Sequence, residues 1–107
     1  VTEAEAIENI DIGGPCMVRA AAKNFNAVTI VTDPEDYSRV LSALRELGGQ
    51  LTRDIRLELA SKAFDLVAQY DNAIRSYFEG IEPAGVGDTL AGEMLPGVVC
   101  QVQMTRV

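Results

Sequence analysis

One run of six residues, 27–32 (AVTIVT), limits most strongly what this chain can fold into. It is β-branched and almost uniformly apolar. That is the pattern of a central strand covered on both faces, as in a parallel sheet. Elsewhere, up to residue 80, the apolar spacing is helical. A single strand is not a sheet, because its backbone N–H and C=O groups need partners. For a chain of 107 residues, those partners must come from its last residues, from another chain, or from sequence outside it. The order helix, strand, helix, helix predicts a layered α/β domain. The shortage of strands predicts that it is present only in part, as a helix-rich fragment with few strands. Val1 in place of a methionine points the same way.

The helices carry their own punctuation. Thr2 and Glu5 have the T-x-x-E spacing of a capping box, which predicts a short first helix ending near Asn9 or Ile10. Asp11-Ile12-Gly13-Gly14-Pro15 follows. Two glycines permit tight backbone geometry, and Pro15 suits the first position of a second helix running to about Asn24. Asp33 and Pro34 open a third, whose Tyr37, Val40, Leu41, Leu44 and Leu47 recur at helical spacing until Gly48-Gly49 stop it. Thr52 caps a long fourth helix to about Phe78, with Ile55, Leu59, Ala63, Leu66, Tyr70, Ile74 and Tyr77 as its apolar stripe. Its charged residues, Arg53, Arg56, Glu58 and Lys62 among them, form a solvated face on which Glu58 and Lys62 pair at i,i+4. Residues 1–80 are the domain segment. Residues 81–97, with four glycines and two prolines, are a linker, and 98–107 (VVCQVQMTRV) is a terminal strand.

Charge removes whole classes of function. With 9 basic and 16 acidic residues the net charge is −7. Lys23 and Lys62 are the only lysines, and the seven arginines are scattered, so no nucleic-acid footprint forms. Anionic membrane surfaces are disfavoured for the same reason, and no apolar run approaches the ~20 residues that span a bilayer. There is no histidine. A Ser-His-Asp triad and a Cys-His pair are therefore impossible within the chain, and no metal site is expected. Cys16 and Cys100 are too few for a disulfide framework, and a cytoplasmic location with reduced thiols is expected. Cys16 reads as a small buried thiol, and the tyrosines as core residues with a hydroxyl at the rim.

Chemistry is most concentrated between Asp11 and Lys23. Asp11 precedes a Gly-Gly turn that opens a helix, and N–H groups at such a start favour anions or polarised carbonyl oxygens. Lys23 stands at the other end of that helix. Folded back, it would form with Asp11 a carboxylate–ammonium pair around a substrate. The alternative reading is structural: Asp11 shapes a turn, and Lys23 complements the helix dipole.

The block EAIENIDIGGPCMVRAAAKN (5–24) closely resembles the family of bifunctional enzymes that join AICAR formyltransferase to IMP cyclohydrolase. The segments VTIVTDPEDY (28–37) and KAFDLVAQYDNAIRSYF (62–78) resemble it in the same order. The resemblance covers about residues 3–79. It implies the second half of a cyclohydrolase domain of methylglyoxal-synthase-like α/β fold. The TLHP-like and NLYPF-like motifs of the first half and the RYGENPHQ-like block that follows are not found here. It implies further that Asp11 is a base or proton-positioning group, that Lys23 stabilises developing charge, and that Ile12, Gly13 and Gly14 line the substrate base. The cyclohydrolase step would use no cofactor. 10-Formyltetrahydrofolate would serve only the formyltransferase domain, which this chain lacks. The implied partners are a purine ribonucleotide and either the rest of the parent polypeptide or a second copy of the chain, as a homo-oligomer. A non-catalytic, self-associating or interaction module derived from the same domain is the competing expectation.

Overall fold

The structure, a computed structural model, describes residues 1–83, 97 and 100–105. Its elements are α1 (Glu3–Glu8), α2 (Gly13–Lys23), a 3-10 turn (Pro34–Asp36), α3 (Tyr37–Glu46) and α4 (Arg53–Glu79). No β-strand occurs among the described residues, and none of their helices is long and apolar enough to cross a membrane.

Local chemistry explains the helix ends. The Thr2 hydroxyl accepts from the Glu5 N–H at 3.1 Å while the Glu5 carboxylate accepts from the Thr2 N–H at 3.1 Å, which closes the capping box. Thr52 caps the 27-residue α4 by accepting from the Ile55 N–H at 3.2 Å. Gly48 and Gly49 have φ of 69° and 89°. The Gly49 N–H reaches back to the Leu44 carbonyl at 2.7 Å, the six-to-one bond that ends a helix through a left-handed glycine. Two boundaries differ from expectation. Helix α2 starts at Gly13, so Pro15 is its third residue, still within the first turn where an N–H has no intrahelical partner. Pro34 starts a 3-10 turn rather than α3, with the Asp33 carboxylate accepting from the Glu35 N–H at 3.0 Å.

The expected strand at 27–32 is not formed, because a strand exists only by pairing and no partner segment lies beside it among the described residues. Its side chains nevertheless behave as those of an extended segment. Ile30 packs on the cluster of Ala22, Ala60 and Ala63, and Val31 on the cluster of Val40, Leu51 and Leu59. Adjacent residues thus serve different clusters, which suits side chains that alternate in direction. Of the expected terminal strand, residues 100–105 have no regular structure, while 98, 99, 106 and 107 lie outside the described residues, as do residues 84–96 of the expected linker.

The core is the seam between α4 and the elements laid on it. Helix α2 packs on α4 through small residues, with Ala22, Ala60 and Ala63 buried between them. Leu59, 1% exposed, anchors the second cluster. Farther along α4, the expected stripe opens to solvent: Leu66 is 47% and Tyr77 43% exposed. Arg56, expected on a solvated face, is half-buried. Its guanidinium donates to the carbonyls of Phe25 at 2.8 Å and Leu51 at 2.7 Å, and so ties two loops to the start of α4. Arg53 lies 5.0 Å from the centre of the Phe25 ring and donates to the Asn26 side chain.

The 3-10 turn and α3 are held to α4 by charge. Lys62 donates to Asp36 at 2.7 Å and to Asp33 at 3.2 Å, and Arg39 pairs with Glu58 at 2.9 Å. These tertiary partners replace the expected Glu58–Lys62 pair. The Glu35 N–H and then Lys62 hold the Asp33 carboxyl below its ordinary 3.8. Asp36 and Asp33 hold the Lys62 ammonium above its ordinary 10.5. The depressed carboxyl contributes stability above pH 3.8 that is lost as the pH falls through its lowered value. The raised ammonium contributes below pH 10.5 and is lost as the pH rises through its elevated value. The urea midpoint of the native chain should therefore exceed that of Lys62→Met at neutral pH, with the gap closing below about pH 4. A gap independent of pH would show that the Lys62 ion pairs do not hold the 3-10 turn.

Candidate functional site

The turn between α1 and α2 is built around Asp11. Its backbone N–H donates to the Tyr70 hydroxyl of α4 at 2.8 Å, and its Oδ1 accepts from the Gly14 N–H at 2.9 Å. Ile12 occupies the cap position of α2 but offers no side-chain acceptor. Asp11 supplies one from the preceding residue and satisfies a donor of the first turn. A negative charge is well placed there, since the helix dipole is positive at that end.

The two glycines have different tasks. Neither has a positive φ, so the expected tight backbone geometry is not what demands glycine here. A β-carbon on Gly14 would stand 2.5 Å from Asp11 Oδ2 and 3.2 Å from Asp11 Cγ, whereas one on Gly13 would meet nothing within 4 Å. Gly14 is needed for close approach of the carboxylate, and Gly13 is open space. Beside them runs a groove of about 510 Å³ lined by Asp11, Gly14, Pro15, Val18, Leu66, Val67 and Tyr70. Its wall is mostly apolar, with the Asp11 carboxylate and the Tyr70 hydroxyl as polar groups, a combination suited to a small organic ligand that needs orientation. Ile12 is 69% exposed beside this turn.

Lys23 is the last residue of α2, and Asp11 lies two residues before its first. Eleven residues of helix span roughly 16 Å, so the two side chains sit at opposite ends of α2 and are not brought together within this segment. Lys23 is two residues before Phe25, the residue against which Arg53 stacks and whose carbonyl Arg56 holds. Cys16, expected to be buried, is exposed on α2. Sequence reasoning missed the role of Tyr70. Its place in the α4 stripe was evident, but its partner is 59 residues away, and no local spacing connects them.

The bifunctional purine biosynthesis protein PurH of Pelodictyon phaeoclathratiforme is 56% identical over 80 residues, which are 75% of this chain and 15% of that protein. PurH of Chlorobaculum parvum is 51% identical over 89 residues, 80% of this chain and 17% of that one. The chain thus spans about one-sixth of the length of these curated relatives. Among solved structures, a crystal structure of ForH is similar with a TM-score of 0.63 and 42% identity, over 70% of this chain and 41% of that one. A family model described as the AICARFT/IMPCHase bienzyme matches residues 21–105, a stretch that starts after Asp11 and includes Lys23. With well over half of its residues so matched, the chain belongs to the AICARFT/IMPCHase bienzyme family.

Proposed function

We propose that this segment belongs to the IMP cyclohydrolase domain of such a bienzyme and supplies part of the site that closes the second purine ring. The carrying observation is the Asp11 carboxylate, fixed through one oxygen by the Gly14 N–H at the edge of a groove that a planar base could enter. In the reaction, the carboxamide nitrogen of a formylated ribonucleotide adds to the formyl carbon, and the resulting carbinolamine loses water. A neutral amide is a poor nucleophile. It is helped by a group that takes its proton and by positive charge near its oxygen. Asp11 serves as the base and the backbone of Ile12, Gly13 and Gly14 lines the substrate base; Lys23, at the far end of α2 from Asp11, would stabilise the developing charge on a substrate held between this segment and the rest of the enzyme or a second copy.

The two steps are an addition and a dehydration, with no net oxidation or reduction. The cyclohydrolase step accordingly needs no organic cofactor, and the folate serves the other activity of the bienzyme. The partner is the rest of the polypeptide, whose strands would pair with residues 27–32 and complete a methylglyoxal-synthase-like sheet in a cytoplasmic enzyme. A homo-oligomer would bring further site residues. The lack of a strand partner for residues 29–32 among the described residues, and the half-open α4 stripe, support this reading.

The test assays ring closure and formyl transfer separately in the full-length family enzyme carrying this segment. Lys23→Ala is expected to lower ring closure by about 10²-fold, the loss seen when one charge-stabilising group is removed, with formyl transfer retained. Equal loss of both activities, or an unchanged ring-closure rate, would count against the assignment.

A further inference from the structure

We infer that Tyr70 is the positioning residue for Asp11, an assignment that rests on the base role proposed above. Two hydrogen bonds hold Asp11, and they act on different parts of it. The Gly14 N–H orients the carboxylate, and the Tyr70 hydroxyl oxygen accepts from the backbone N–H at 2.8 Å. The first bond is local to the turn. The second reaches from the middle of the longest helix, and it is the one that relates the turn to the groove wall. Tyr70 is half-buried and lines two grooves. One lies between α2 and α4 and contains Asp11; the other, of about 250 Å³, lies between α1 and α4 and is lined by Ala6, Asn9, Ile10 and Ile74 among others. The phenol thus stands where α1, the turn and α4 meet. Without its oxygen the Asp11 amide has no partner from α4, and the carboxylate is placed only relative to its own turn. A general base displaced by a fraction of an ångström from the proton it takes loses rate without losing substrate affinity.

Tyr70→Phe removes the acceptor and keeps the ring. In the full-length family enzyme, hydrogen exchange at the Asp11 amide, followed by mass spectrometry of the peptide that contains it, is expected to accelerate. The kcat of ring closure should fall by about 10-fold to 100-fold, the scale for a misplaced reacting group. KM should change less than about twofold, since the groove wall is otherwise intact, and formyl transfer should persist. The loss should not add to that of Asp11→Asn: in the double variant, ring closure should match Asp11→Asn alone. Unchanged kcat in Tyr70→Phe, an additive double variant, or parallel loss of formyl transfer would each overturn the positioning role while leaving Asp11 as the base. Unchanged ring closure in Asp11→Asn would remove the base reading itself, and this assignment with it.

Discussion

Asp11→Asn in the full-length family enzyme is expected to slow ring closure by about 10² to 10⁴-fold, the usual worth of a positioned general base. The substitution separates chemistry from architecture. The asparagine side-chain oxygen can still accept from the Gly14 N–H, and the backbone N–H can still donate to Tyr70. The turn, the start of α2 and the groove should therefore survive, while the side chain can no longer take a proton at neutral pH. Steady-state ring closure with the formylated substrate, alongside formyl transfer on the same preparation, measures the effect. Undiminished turnover would take Asp11 out of the site. A fall in both activities together would report a damaged fold.

The largest effect on stability is expected from Leu59→Ala. Leu59 is 1% exposed and packs with Val40 and Leu51, while Val31, Leu44 and Ile55 press on the same cluster. Removing most of a side chain held from α3, from the 27–32 segment and from its own helix leaves a space these elements cannot all close. The expected cost is about 2–5 kcal/mol, a large part of the roughly 5–15 kcal/mol that holds a domain together. Leu57, two residues earlier on α4, is 42% exposed, and Leu57→Ala should stay near or below about 1 kcal/mol. Urea unfolding followed by circular dichroism compares the two. A Leu59→Ala midpoint no lower than that of Leu57→Ala would mean that the second cluster is not a core.

What could be read from residues alone divides by range. The capping box of Thr2 and Glu5, the Thr52 cap and the Gly48-Gly49 stop depend on groups at most a few residues apart, and each is present in the structure. The 27–32 run is recognisable as strand-forming, but its ladder depends on groups that do not lie beside it among the described residues, and no local signal can provide them. Lys62 illustrates a second limit. Helical spacing offered it Glu58, and two tertiary acids, Asp33 and Asp36, took it instead. At the candidate site, the motif singled out Asp11, Gly14 and Lys23. It did not show that Tyr70 holds Asp11 from α4 or that Cys16 faces solvent. Each of those depends on how α2 lies against α4, and the alanines between them show only that the approach is close.

The contact between Gly14 and the Asp11 carboxylate bears on how this turn can vary among descendants of one ancestor. The smallest side chain at position 14 would intrude on Asp11 Oδ2, so alanine is tolerated there only by moving the acid. A change at position 14 is therefore expected to go with a new side-chain rotamer, or a new residue, at position 11.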